Sequence, residues 1–300
     1  MVDLHTHSNA SDGDLSPARL VREALRQGLG ALALTDHDTI DGLESAKNEA
    51  GEAGICFIPG IEINISWKAL RDTCGLGPGG EFHLLGLGIG TPSPAFLDAI
   101  AELSRRREAR NREILEKMRE LGIEATMEEV EAFSGGHSVG RPHFASLLVS
   151  RRIVKTIKQA FSRYLGPGKV LYTPREGLEF GEAAALIRES GGIPVLAHPM
   201  SLYVAWGRLP DLIRKLKDMG LAGIEAWHPA AQPRSCRRLE ELGKTLGLYV
   251  TEGSDFHGAV RPDRRLGFSC GERKITDSVL EAIPELARFY LVKAKHADKF

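Results

Sequence analysis

The chain has 300 residues, 42% hydrophobic and 26% charged, with a formal net charge of −1. That composition excludes a disordered or fibrous chain and fits one large α/β domain, or one such domain carrying an insertion. The near-zero charge supplies no global basic field, so duplex DNA binding is not expected, although a small phosphorylated substrate held locally remains open.

Val2-Asp3-Leu4 reads as a very short strand. Alternation along a strand sends His5 and His7 to the same side, roughly 7 Å apart, a natural pair of metal ligands. Asp12 follows a short polar turn and can add a carboxylate. Ser16-Pro17 opens a helix that runs to about Gln27 and stops at Gly28, since Ser caps well and Pro suits the first helical position. Ala31 to Leu34 is a short buried strand ending in Thr35-Asp36-His37-Asp38, and a second helix covers about Gly42 to Ala53. Ile55 to Ile58 is the next strand. Pro59-Gly60 closes it, and Ile61 to Ile65, with Glu62, alternates like an edge strand. Residues 69–80 read as a Gly-rich flexible loop, and Glu81 to Ile89 as a strand containing His83.

At Thr91-Pro92-Ser93-Pro94 the rhythm changes. From Ala95 to about Phe180 the chain reads as mostly helical, polar and basic, with Arg105, Arg106, Arg107, Arg110 and Arg112 in one long helix. Most of these charges fit a solvated face, while a few inward Arg or His residues would meet substrate. Gly140-Arg141-Pro142-His143 suggests a shaped turn there. The strand–helix rhythm resumes near Phe180: Ile193 to Ala197 ends in His198-Pro199, Gly223 to Trp227 in His228-Pro229, and Leu248 to Thr251 leads into Gly253-Ser254-Asp255-Phe256-His257-Gly258. Asp277 to Phe300 reads as a closing helical segment, and His137 and His296 as surface residues. The expected organisation is a barrel over 1–92 and 180–300 with a helical cap over 93–179.

Cys56, Cys74, Cys236 and Cys270 are far apart with no Cys-x-x-Cys pair, which favours reduced thiols. Asp3, His5 and His7 break any signal-peptide core, and no run reaches about 18 apolar residues. A cytoplasmic protein without membrane contact is expected.

The candidate ligands are His5, His7, Asp12, His37, Glu62, His83, His198, Asp255 and His257, and most lie at or near a predicted strand end. In a barrel of parallel strands the C-terminal ends form one rim, so residues scattered along the chain converge there. Six of the chain's ten histidines belong to this set.

In this order, Asp3-Leu4-His5-Thr6-His7, Ser11-Asp12-Gly13, Thr35-Asp36-His37-Asp38, Pro59-Gly60-Ile61-Glu62, Ala197-His198-Pro199 and Gly253 to Gly258 resemble the PHP (polymerase and histidinol phosphatase) superfamily, from Met1 to about Gly271. Gly140 to His143, and Glu225 with His228-Pro229, look like its stand-alone phosphoesterases with a helical insertion. These include 3′,5′-nucleoside bisphosphate phosphatases and enzymes that trim short RNA from the 5′ end. The resemblance implies a distorted (βα)7 barrel with up to three divalent ions. His5, His7, Glu62 and Asp255 would hold one; Glu62, His83 and His198 a second; Asp12, His37 and His257 a third. It further implies that Arg141 holds a non-reacting phosphate and His143 orients the scissile one. His228, after its strand end, would either contact substrate or make a supporting hydrogen bond near Glu225.

Three divalent ions and three carboxylates would leave about +3, suited to a phosphate dianion. Ions about 3.5–4 Å apart lower the pKa of a shared water towards neutrality, so the expected nucleophile is metal-bound hydroxide. A protein nucleophile is a poor alternative, since no Cys motif offers one. Imidazole and carboxylate donors suit zinc, manganese or iron. The expected activity is hydrolysis of a small nucleotide's phosphate ester, either 3′-phosphate release from a 3′,5′-bisphosphate or 5′-to-3′ trimming of short RNA. The alternatives are a histidinol-phosphate or other small-molecule phosphatase, and a non-catalytic accessory module of a polymerase.

Overall fold

A computed structural model describes residues 1–68, 80–134, 139–174 and 176–289. Seven strands form one sheet in chain order: β1 (Val2–Asp3), β2 (Ala31–Leu34), β3 (Cys56–Asn64), β4 (His83–Leu87), β5 (Ile193–Leu196), β6 (Gly223–Trp227) and β7 (Tyr249–Glu252). Beyond the strand ends Thr6 bridges Phe256 in parallel, and the Asp255 N–H donates to the His5 carbonyl at 2.9 Å. The sheet is therefore a nearly closed barrel, with helices packed outside. A short antiparallel pair, β8 (Phe268–Ser269) with β9 (Arg273–Lys274), follows β7.

The first helix, α1 (Pro17–Arg26), starts where expected: Ser16 Oγ accepts from the Arg19 N–H, and Leu20, Val21 and Ala24 are buried. It packs on α2 (Leu43–Ala53), and apolar residues of both share a core with Leu32 and Leu34 of β2.

Two strand expectations need correction. Residues 56–64 form one strand through Pro59-Gly60, and it is interior, paired with β2 on one side and β4 on the other. The N–H that proline lacks falls at the changeover: Pro59 is the last residue laddered to β2, and Gly60 the first laddered to β4. Ile61 to Asn64 are consequently buried on both faces. Second, the barrel is not all parallel. β4 runs antiparallel to both β3 and β5. This reversal puts the first residue of β4, His83, beside Asn64 at the end of β3, on the rim where the other strands end.

Between β4 and β5 the chain is helical: α3 (Pro94–Glu120), α4 (Met127–Glu131), α5 (Arg141–Ser150) and α6 (Ile157–Ala160), continued by a π-turn over Phe161–Leu165. One apolar cluster there joins Ile114, Met118, Val130, Phe144, Leu148 and Leu165. The first half of α3 belongs to the barrel's packing, because Phe96 and Leu103 share a cluster with Phe180 of α7 (Phe180–Glu189). The outer helices are completed by α8 (Leu209–Asp218) and α9 (Pro233–Thr245). Residues 278–281 and 284–289 are helical, so the closing segment is helical as far as it is described. Cys56, Cys236 and Cys270 are buried and form no disulfide. Cys74, His137, His296 and most of the 69–80 loop lie outside the described residues. Among the described residues no helix is long and apolar enough to cross a membrane.

Candidate metal centre

The rim is assembled by turns just past the strands. β1 ends at Asp3, so His5 and His7 follow it in an extended stretch held by residues 254–256. Their rings are 5.2 Å apart between centroids, closer than strand spacing suggests, and their Nε2 atoms are 3.1 Å apart. Asp38, His198 and Asp255 all take positive φ values, 53°, 28° and 52°. Such backbone costs about 1–3 kcal/mol per residue and persists only where the surroundings enforce it. Gly253 is required by close approach, since a Cβ there would lie 2.3 Å from the His5 Cβ.

All nine candidate ligands meet at this rim. One group is His5 Nε2, His7 Nε2, Glu62 Oε2 and Asp255 Oδ1. Glu62 lies 3.4 and 3.3 Å from the two imidazoles, and Asp255 lies 3.6 and 3.4 Å from them. A tetrahedral ion with bonds of about 2.0–2.1 Å needs donor atoms about 3.3 Å apart, so the spacing matches. Glu62 Oε1 faces a second group, with His83 Nδ1 and His198 Nε2 each 2.9 Å away and 3.3 Å from each other. The third set is looser: Asp12 lies 3.2 Å from His257 Nε2 and 3.9 Å from His37 Nε2. Here the structure adds a donor to the expected set, because His7 also falls within reach of Asp12, His37 and His257.

The hydrogen bonds around the histidines decide which ring nitrogens face inward. His5 Nδ1–H donates to Glu225 at 2.9 Å, His198 Nδ1–H to Ser201 Oγ at 2.6 Å, and His257 Nδ1–H to the Asp255 carbonyl at 2.8 Å. Each neutral ring then turns an Nε2 lone pair towards the carboxylates. Acceptors facing acceptors at 2.9–3.6 Å need a cation or a proton between them. His37 Nδ1, Glu62 Oε2 and His257 Nε2 are buried and make no hydrogen bond. The donor set, its spacing and these orphaned atoms all fit divalent cations.

The protonation energetics agree. Burial would raise the Glu62 carboxyl, but His37, His83 and His5 beside it hold it well below the usual range. Asp12 and Asp255 are likewise held low, each chiefly by His257 against the same burial cost. Burial would depress His7, yet the carboxylates of Asp255 and Glu62 beside its ring push it up to about 9. Burial would also depress His5, but Glu225 and Glu62 overcome it. Without ions, protons meet the demand for positive charge.

The neighbouring acids, whose roles the sequence left open, are now placed. Asp36 accepts from the Ser8 N–H and from the hydroxyls of Ser8 and Ser11, at 2.8, 2.6 and 2.6 Å, and so shapes the turn that carries Asp12. Asp38 accepts from both Asn64 nitrogens and from Arg107, which also donates to the His37 carbonyl at 3.0 Å. Glu225 accepts from His5 and from the His198 N–H at 2.8 Å.

Of the expected substrate contacts, Arg141 lines a cavity of about 290 Å³ together with Asp12, Glu62 and His83. His143 is buried and its Nδ1 accepts from the Gly140 N–H at 2.9 Å, which leaves Nε2–H as a donor. His228 Nδ1 accepts from the Ala230 N–H, so its Nε2–H donates to Asp255 Oδ2 at 3.2 Å. Reading the sequence missed Arg107, Arg261 and Arg264. Arg261 donates to Asp255 Oδ2 at 3.3 Å, and Arg264 lies 3.8 Å from the same atom. Arg107 had a signal: it interrupts the buried stripe Leu103, Arg110, Ile114, Met118 of α3. Arg261 and Arg264 had none beyond lying close after the last ligand motif.

Residues 3–165, more than half of the chain, match the family described as PHP domain. The chain is 34% identical over 259 residues to the 5′-3′ exoribonuclease Rnm of Salmonella typhimurium, covering 86% of this chain and 85% of that one. It is 31% identical over 267 residues to the 3′,5′-nucleoside bisphosphate phosphatase of Chromobacterium violaceum, covering 89% and 90%. Among solved structures, a protein of Bifidobacterium adolescentis assigned as a metal-dependent phosphoesterase superposes with a TM-score of 0.79 at 27% identity, over 94% of each chain.

Proposed function

The chain belongs to the PHP domain family, and from that premise we propose that it is a metal-dependent phosphoesterase acting on a small nucleotide. The bond broken is P–O3′, either in a 3′,5′-bisphosphorylated nucleoside or in a short 5′-phosphorylated RNA. The observation that carries this reading is the four-atom cage of His5, His7, Glu62 and Asp255, which opens on the cavity that Arg141 lines.

His5, His7, Glu62 and Asp255 would hold one ion, Glu62, His83 and His198 a second, and Asp12, His37 and His257 a third. Two or three ions of manganese, zinc or iron suit these donors. Such ions supply Lewis acidity that activates water and neutralises charge on the phosphoryl oxygens. The chain's own residues do the rest. Glu225, Ser201 and the Asp255 carbonyl fix the ring orientation of His5, His198 and His257. His228 acts through Asp255 and so is a positioning residue with a wall on the neighbouring cavity. Arg141, whose planar fork matches a phosphate, anchors the substrate's terminal phosphate. His143 Nε2–H is the donor left to orient the scissile phosphate. The helices over 93–179 act as a cap that brings Arg141 to the rim.

Assay against adenosine 3′,5′-bisphosphate and a 5′-phosphorylated dinucleotide tests the reading, with chelator-treated protein and with manganese or zinc restored. Hydrolysis that vanishes with the metal and returns with it supports the proposal. Equal turnover by stripped protein, or none of either substrate by loaded protein, overturns it.

A further inference from the structure

A second cavity, of about 250 Å³, adjoins the one that holds Arg141. Glu81, His198, Asp255 and Arg261 line both, so the two meet at the metal-ligating rim. The second extends past His228 and Ser201 to Arg264 and Tyr203. The function proposed above gives it no occupant.

Its walls have a definite chemistry. Arg264 is only 9% exposed, and its Nε makes no hydrogen bond. Its nearest acid oxygens, on Asp263 and Asp255, stand 3.7 and 3.8 Å away, beyond hydrogen-bond reach. Arg261 adds a second guanidinium whose side chain stays 37% exposed. Of the acids on the same wall, Glu225 is engaged by His5 and the His198 N–H, and Asp255 by His228 and Arg261. Glu81 faces Arg261. At the cavity's edge Tyr203 is 78% exposed, held in left-handed backbone with φ 53°. An exposed aromatic ring beside guanidinium groups is how single-stranded nucleic acid is held: bases stack on the ring and phosphates meet the cations.

We propose that this cavity binds the second nucleoside of a short RNA, the one esterified to the scissile phosphate, with its base on Tyr203 and its own 3′-phosphate at Arg264 and Arg261. The inference rests on the phosphoesterase reading and extends it by naming the substrate. In both candidate reactions water adds its oxygen to phosphorus, the P–O3′ bond breaks, and O3′ of the first nucleoside leaves as a hydroxyl with a proton from that water. From a bisphosphate the phosphate departs free. From RNA it stays on O5′ of the next nucleoside. Only RNA carries a group on that side of phosphorus, and the second cavity is room for it.

The test compares metal-loaded wild type, Tyr203→Ala and Arg264→Gln on three substrates: adenosine 3′,5′-bisphosphate, 5′-phosphorylated ApA, and the same dinucleotide with a 3′-phosphate. Tyr203→Ala should shift the KM ratio of dinucleotide to bisphosphate about tenfold against the dinucleotide, the scale of one lost base stack. Arg264→Gln should penalise the 3′-phosphorylated dinucleotide more than the one ending in a hydroxyl. If Arg264→Gln fails to fold, the surface variant Tyr203→Ala decides alone. Unchanged ratios, or a wild type that cleaves the bisphosphate only, would overturn this inference and leave the phosphoesterase reading standing. A wild type inert on all three would remove both.

Discussion

The rim of the barrel and the helices between β4 and β5 handle polar side chains in opposite ways. At the rim, eight of the nine candidate ligands are buried, and their oxygens and nitrogens crowd to within 2.9–3.9 Å of one another. In the helical segment the interior is apolar, around Phe144, Leu148 and Met118, and many charges are solvated, as in the Arg105–Glu102 and Arg112–Glu108 pairs. Surface pairs of that kind are worth little. A reactive centre therefore rests on strand ends that cannot shift without breaking many bonds. We propose that substrate recognition rests on a few exceptions in the helices, chiefly Arg141.

Breaking the rim should have the largest effect. Asp255→Asn or His5→Ala should lower kcat by more than about 10³-fold, beyond the loss of a single transition-state donor, while circular dichroism stays native. Ordinary turnover in either variant would contradict the assignment. Next is the layer behind the ligands. Glu225→Gln keeps the shape but weakens the hold on His5 Nδ1–H, and should reduce metal affinity about 10–100-fold, read by metal analysis after dialysis at graded ion concentrations. The smallest effect separates the two regions. Arg141→Ala should raise KM for a bisphosphate at least about tenfold more than KM for a simple aryl phosphate, the scale of a hydrogen bond to a charged group. Equal changes on both would remove the anchor role and leave the rim untouched.

Much of the rim was legible because several candidate ligands follow their strands by two or three residues, so local pattern marks them: His37 after Ala31–Leu34, His198 after Ile193–Leu196, Asp255 after Tyr249–Glu252. What the sequence hid depends on pairing at long range. Nothing near Glu81 to Ile89 reveals that β4 runs antiparallel to both neighbours, although that reversal is what brings His83 to the rim. The interior place of β3 was hidden for the same reason. Arg107 falls on the buried stripe of α3, unlike Arg105, but only the tertiary contact with Asp38 shows what it holds. The partners of the ring nitrogens, 220 residues distant in the pair His5–Glu225, were equally out of reach.

The central claim is that side chains from seven separate stretches of the chain share cations at one rim. Anomalous diffraction from crystals grown with manganese measures this most directly. The account predicts a peak enclosed by His5, His7, Glu62 and Asp255, with further density beside His83 and His198. Manganese bound only elsewhere, or a cage that stays empty at millimolar metal while the enzyme turns over, would contradict it.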